Sequence, residues 1–485
     1  MSAEFSQFPS FPKNLAYNLK KLEGSIVKQR LKINADLSSY TPNSTIGINL
    51  PIGRMIENRS IVIYAKGTTS QTSGEKVHFP RGGLHSLIEQ FSVNANNRTL
   101  QNTPYYNYVW NTIADLEGYS SIEQQTKRIT ELADPSVKYS SSGGYNSEGV
   151  ITAIKNLTSA GSTNDDIYFC ANNFLGYFNS SVSCTNTNDL GQIQIKLQLA
   201  PAGVLFSSGA QNATAVVGAT YTLTDVYLTV ETITFTNSLY YELLGSQLNG
   251  DGLNIAYYDY YTIQGSSFVK SSGLNFSTQI NASSLDQVIA TFRRSDYSTI
   301  RPLLLADSDD GSTTTINKYL ADPTAYLNNL AVTTNNSNLG DGFNQSAYFQ
   351  RAGAGVKNSS WYINSQPFTN QSPPIEIYNN MMQTFGYNNL DIASGGLHVG
   401  CQSLEHYKKY YFADALSLEN ISGDGNWWIS GLNGNGGTIL IQYNCTFDSG
   451  TTNDDYSKVS VYPYIICRTS KLLNVKMGRA LDLIE

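Results

Sequence analysis

Residues 192–201 read QIQIKLQLAP. Ile193, Ile195, Leu197 and Leu199 alternate strictly with Gln192, Gln194, Lys196 and Gln198, and Pro201 ends the run. A period of two puts the aliphatic side chains on one face of an extended chain and the polar ones on the other, the mark of a half-buried antiparallel strand. The pattern returns in YTLTDVYLTVETITF (221–235), where Val226, Leu228 and Val230 point one way. A register change is expected near Glu231, after which Ile233 resumes the apolar face.

Outward from this pair, strands are expected on both sides. Towards the N-terminus they begin at Ile26, with Ile46, Ile48 and Leu50 alternating with Gly47 and Asn49, then the β-rich run Ile61–Tyr64. LIEQFSVNANNRTL (87–100) reads as two strands joined by a tight turn at Asn94–Asn97. A helix follows: Thr103 suits its N-cap and Pro104 its first position, and Tyr105, Tyr108, Val109, Thr112, Ile113 and Leu116 share one face at helical spacing. A second helix is expected over 121–133. Residues 136–190 are rich in Ser, Gly and Asn, carry few strand signals, and read as a large surface excursion. Beyond 237–253, where a domain junction is expected, strand signals resume at 255–263 and recur at 276–280, 287–292, 361–363, 438–443 and 459–466. The second half is therefore a second all-β unit. Ser86–Phe91 (SLIEQF) and Ser284–Ile289 (SLDQVI) echo each other weakly, which fits a duplicated architecture.

Composition agrees. A chain of 485 residues exceeds one ordinary core and suits two domains. Charged residues make up 14%, well under the ~25% of typical globular chains. Polarity comes from Ser, Thr, Asn and Gln, with 33 Tyr and 39 Gly, a mixture of strand formers and turn formers. The net charge of −7 argues against wholesale nucleic-acid binding. Its distribution is uneven, however: Lys13, Lys20, Lys21, Lys28, Arg30 and Lys32 crowd the start against only Glu4 and Glu23. Two readings stand for this segment. One is a solvated leader; the other is an arm lying against lipid headgroups, nucleic acid or a neighbouring subunit. No apolar run approaches the ~18 residues of a membrane span and no signal-peptide core is visible, so synthesis in the cytosol is expected.

Catalytic chemistry finds no foothold. None of the phosphate-loop, dinucleotide, zinc-protease or nucleophile-elbow motifs occurs. Among four histidines, His398 and His406 flank Cys401 as H-x2-C-x4-H, but nothing in the spacing supplies further ligands, and packing or surface histidines are the expectation. Asp307, Asp309 and Asp310 in DSDDGS miss the calcium-loop spacing, since Lys318 stands where a bidentate Glu is needed. Cys170, Cys184, Cys401, Cys445 and Cys467 are odd in number, lack C-x-x-C spacing and read as reduced, packed thiols. Tyr407, Tyr410, Tyr411 and Phe412, with Trp427 and Trp428, offer either a sugar-stacking platform or, as favoured here, core and subunit-interface aromatics. No metal or cofactor is expected.

These segments together resemble the double jelly-roll major capsid proteins of the adenovirus, virophage and polinton-like virus type. The resemblance rests on residues 87–116, 193–208 and 221–235 in the first half and 277–294, 364–386, 406–419 and 427–443 in the second, in the family's order. It implies an all-β fold of two consecutive eight-stranded antiparallel jelly rolls with a few short helices and long surface loops. The boundaries expected are an N-terminal arm at 1–27, a first jelly roll at 28–240 and a second at 241–485. Loop regions fall at 136–190 and 295–360, and 471–485 forms a C-terminal tail whose Leu472, Val475 and Leu481 make a docking segment. The resemblance further implies a non-enzymatic subunit of an icosahedral capsid, a homotrimer forming pseudo-hexameric capsomers in the virion. Its partners would be itself, penton and minor or cement proteins, and an internal membrane or genome reached through the basic arm. A receptor-binding spike with a lectin-like β-sandwich is the alternative; the absence of repeats, a shaft or a trimerising coil weighs against it.

Overall fold

The computed structural model describes residues 26–72, 77–80, 82–117, 138–140, 144–146, 167–179, 184–207, 217–235, 252–268, 273–295, 347–349, 355–385, 412–418, 431–434, 437–447, 460–476 and 480–484, with isolated residues at 242, 245–246, 248–249, 297–298, 300, 351, 353, 404 and 407–408. Among the described residues, eight strands make the two facing sheets of the first half, with shorter strands beside them: β1 (Ile26–Asn34), β2 (Thr45–Asn49), β3 (Val62–Ser70), β4 (Ile88–Ala95), β5 (Arg98–Pro104), β6 (Ile167–Ala171), β7 (Ile193–Leu199) and β8 (Thr220–Phe235). One sheet runs β1-β8-β3-β6 and the other β2-β7-β4-β5, all antiparallel.

The second half repeats the arrangement. Eight of its described strands make the facing sheets: β9 (Leu253–Gln264), β10 (Leu274–Asn281), β11 (Ser284–Arg294), β12 (Val356–Ile363), β13 (Gln366–Pro367), β14 (Asp414–Ser417), β15 (Thr438–Phe447) and β16 (Val461–Lys476). They form sheets β9-β16-β11-β14 and β10-β15-β12-β13. Counting from one to eight within each half, both place 1-8-3-6 against 2-7-4-5. Two sheets in that order are a jelly roll, so the chain is a double jelly roll. In each half the fifth strand leads to a helix, α1 (Tyr106–Glu117) after β5 and α2 (Pro374–Thr384) after β13.

Periodicity explains the cores. β7 buries Ile193, Ile195, Leu197 and Leu199, and β15 buries Ile439, Ile441, Tyr443 and Cys445. β11 is buried along its whole length because both of its faces are covered. The β4–β5 hairpin turns at Asn96 and Asn97, with φ of 45° and 64°. Two successive left-handed residues match the right-handed strand twist, and Asn tolerates them. Asn96→Val should therefore lower stability by about 1–2 kcal/mol in a urea titration, while Asn97→Gly leaves it unchanged or slightly raised.

Several expectations change. The register change in β8 sits at Asp225, with φ 52°, and not near Glu231: Tyr221 and Leu223 are buried before it, Val226, Leu228, Val230 and Thr232 after it. The helix begins at Tyr106, since Thr103 and Pro104 are held in the ladder opposite Phe91 and Gln90. Residues 136–190 are not only an excursion, because Ile167–Ala171 forms β6 and buries Phe169 in the first core; a short strand, Cys184–Asn186, follows. β12 starts at Val356, inside the expected loop. The SLIEQF and SLDQVI echo does not mark equivalent places, since Ile88 opens a fourth strand and Ser284 a third. The expected helix at 121–133 lies outside the described residues.

Candidate functional site

The two sandwiches meet at α1. Its Tyr106 and Trp110 pack in the first core, while Tyr108, Val109, Ile113 and Leu116 enter the second. Their spacing gives one helix two apolar faces. The Tyr108 hydroxyl donates to Thr291 Oγ1 on β11 at 2.9 Å. Asp115, near the end of α1, accepts from Arg351 Nη1 at 2.9 Å, with both side chains buried.

Arg293, also on β11, is fully buried in a cage of tyrosines. Its guanidinium carbon lies 3.5 Å from the ring centre of Tyr297, 4.0 Å from Tyr348 and 4.8 Å from Tyr108. Its Nε donates to the Tyr348 carbonyl at 2.9 Å. Burial works against the charge, but Tyr348, Tyr464, Tyr297 and Tyr108 outweigh it and hold the pKa above the ordinary value. The cage is tied back to the first sandwich, since the Tyr348 hydroxyl donates to Glu89 Oε2 at 2.8 Å.

A second tie lies at the other end. Lys471 on β16 pairs with Asp259 on β9 at 2.8 Å, both buried. Burial pulls the lysine pKa down, and Asp259 more than reverses it. The Thr103 hydroxyl points at the same Asp259, and the Tyr257 hydroxyl donates to the Leu100 carbonyl at 2.6 Å. The expected C-terminal tether is not a free tail where it is described. Residues 471–476 finish β16, and β17 (Ala480–Ile484) pairs back on it. Leu473, Val475, Leu481 and Leu483 join the first sandwich's hydrophobic cluster, and Arg98 on β5 donates to the Leu481 carbonyl.

Of the six basic residues expected in an arm, Lys28, Arg30 and Lys32 lie on β1, in register with β8; Lys13, Lys20 and Lys21 lie outside the described residues. Lys28 pairs with Glu57 at 3.2 Å, Arg30 donates to Tyr64 Oη and Thr229 Oγ1, and Lys32 sits 3.9 Å above the Tyr227 ring. Tyr64 and Tyr227 stack at 4.9 Å. This face opens into a groove of about 880 Å³ bordered by Asp36, Lys66, Tyr168 and Asp225. Tyr407 and Phe412 are fully buried in the second core, so their role is packing; Tyr410, Tyr411, Trp427 and Trp428 lie outside the described residues.

His85 is a packed histidine: it stacks on Trp110 at 4.4 Å, with Nδ1 3.1 Å from Tyr106 Oη and Nε2 2.9 Å from the Asn172 carbonyl oxygen. His398, Cys401 and His406, and the Asp307–Asp310 turn, lie outside the described residues. Among the described residues no three His, Cys, Asp or Glu side chains converge on a metal position, and no helix is long and apolar enough to cross a membrane. Cys170, Cys184, Cys445 and Cys467 are in no disulfide, and burial pushes Cys467 up to about 12.

The buried ion pairs and the arginine cage were not singled out in the sequence. The one local signal was Arg293-Arg294 directly after the mostly apolar run Val288–Phe292, which becomes informative only once β11 is known to be covered on both faces.

No protein-family model and no curated protein matches the sequence. Solved structures do. The PBCV-1 virus capsid superposes with a TM-score of 0.56 at 11% identity, covering 95% of this chain and 97% of that one. The Faustovirus major capsid protein gives 0.55 at 10% identity, covering 98% and 92%. The mavirus major capsid protein gives 0.51 at 11% identity, covering 94% and 89%. Near-complete coverage of both chains means that this chain shares their fold across both jelly rolls.

Proposed function

We propose that this chain is a structural subunit of an icosahedral virus capsid, working as a homotrimer whose six jelly rolls form one pseudo-hexameric capsomer. The observation that carries the reading is the repeated 1-8-3-6 against 2-7-4-5 order in two sandwiches fused through a buried joint. The likeness to three viral capsid structures over almost the whole chain supports it. Assembly, and not catalysis, is then the activity.

The joint suggests how copies meet. Within the chain, the helix after the fifth strand of one sandwich is covered by the next. After the fifth strand of the second sandwich, α2 buries Ile377 and Met381 in its own core but leaves Ile375 62% exposed, and neighbouring Phe368 43%. A chain-to-chain contact made here is heterologous, and such contacts close into a ring when the rotation permits. Three chains, alternating first and second sandwiches, make that ring. Large apolar side chains at its contacts are the anchors that interfaces favour.

The units are taken as 28–240 and 241–485. Lys13, Lys20 and Lys21, preceding β1, would face the shell interior, toward a membrane, genome, penton or cement protein. The virion is the place of action, after synthesis in the host cytoplasm. Light scattering and electron microscopy of the purified chain should show three-copy hexagonal particles; a monomer, or an elongated needle, would overturn the reading. Phe368→Asp combined with Ile375→Asp should convert trimers to monomers with an unchanged circular dichroism spectrum, a loss of roughly 2–4 kcal/mol per contact.

A further inference from the structure

The second sandwich holds a carboxyl between its two sheets. Asp414 lies on β14 opposite Ala290 of β11, yet its side chain turns inward and is only 2% exposed. Trp361 Nε1 on β12 donates to Asp414 Oδ1 at 3.1 Å, and the Trp361 ring rests 4.6 Å from that of Tyr443 on β15. Asp414 Oδ2, Tyr443 Oη and Ser359 Oγ are buried in the same place, the two hydroxyls close enough to favour the carboxylate but short of full hydrogen-bond geometry with it. The contrast is Asp286, whose Oδ1 accepts from Ser284 Oγ and the Gly431 amide and whose Oδ2 accepts from Ser470 Oγ.

We propose that Asp414 is a built-in proton switch, a carboxyl that takes up a proton as its surroundings turn mildly acidic and thereby tightens the joint between the two sheets of the second sandwich. The polar and titratable groups facing it are Ser359 and Trp361 from β12, Tyr443 and Cys445 from β15, and Glu376 from α2. None is a cation, so no opposite charge stabilises the ionised form. Burial pushes the carboxyl up to about 6; Ser359, Trp361 and Tyr443 oppose the shift, and Glu376 adds to it. The folded-state value lies above the ordinary 3.8, so the folded form binds the proton more tightly. The resulting stability is fully present below about pH 4 and is lost as pH rises through about 6. Between about pH 7.5 and about pH 5 the folding equilibrium gains roughly tenfold from this one group. The inference holds whether or not the chain builds a shell; if it does, the shell hardens in a mildly acidic compartment.

The test uses the full chain, wild type and Asp414→Asn, with urea midpoints read by indole fluorescence at both pH values. The amide imitates the neutral carboxyl, so the ratio of the two proteins' folding equilibrium constants should change roughly tenfold across the interval. The same difference at both pH values overturns the switch. Tyr443→Phe provides an independent arm that keeps the core shape. It removes a hydroxyl favouring the ionised form, so the midpoint of the protonation, read as the carboxylic-acid infrared band, should move to higher pH. An unmoved or lowered midpoint also overturns the proposal.

Discussion

Asp115→Ala should destabilise the molecule by about 3–5 kcal/mol, because it strands the Arg351 guanidinium away from water without its carboxylate. The pair spans the joint: Asp115 belongs to the helix that leaves the first sandwich, and Arg351 precedes the fourth strand of the second. Both side chains are almost completely excluded from solvent, at 0% and 3% exposure, so their desolvation is already complete in the native state. Removing both charges is a different experiment from removing one. Asp115→Leu with Arg351→Met deletes the desolvation cost together with the attraction, and should recover most of the lost stability or exceed the wild type. Chemical denaturation of the two single variants and the double variant measures the coupling directly. A single-variant cost below about 1 kcal/mol would mean that water reaches the pair.

Trp361→Ala should cost a similar amount, about 3–5 kcal/mol, by a different route. Trp361 is among the largest fully buried side chains, and it fills the space between the sheets against Tyr443. Truncation opens a cavity and also removes the indole N–H that Asp414 Oδ1 accepts. Trp361→Phe separates the two: it keeps most of the volume and loses the hydrogen bond, so it should cost about 1–3 kcal/mol. The same denaturation curves, compared across the three proteins, give the cavity and hydrogen-bond contributions.

Much of the fold was legible from side-chain alternation, because a strand with one wet face records its environment every second residue. β7 is the plainest case, and Ile46, Ile48 and Leu50 of β2 and its end follow the same rule. Legibility failed where that premise failed. β6 is five residues long and surrounded by Ser, Gly and Asn, too short for a period to emerge. β12 begins Val-Lys-Asn-Ser-Ser, yet Ser359 and Ser360 are buried because neighbouring strands cover them. In β8 the apolar alternation ran through Asp225, where a left-handed residue shifts the register without changing the residue types. The joint was the least visible feature. Tyr108, Val109, Ile113 and Leu116 announced an amphipathic helix, but no local pattern says that its two faces belong to two different cores, or that Arg351 lies across from Asp115.

The shared helix also bears on how the molecule is made. A chain emerges from the ribosome N-terminus first, so β1–β5 and α1 appear long before their covering. β16, the last strand of the second sandwich, ends at Lys476, whereas α1 ends at Glu117. At roughly 5–20 residues per second, the gap between them lasts on the order of 20–70 seconds. During that interval the apolar side of α1 has no second core to enter, and an unfinished chain carries a sticky strip that another nascent copy can find. Premature pairing between neighbours on one message is the natural failure of this architecture. The burial of Asp115 and Arg351 across the joint penalises it, since any partner that covers α1 without offering a guanidinium leaves a charge unanswered.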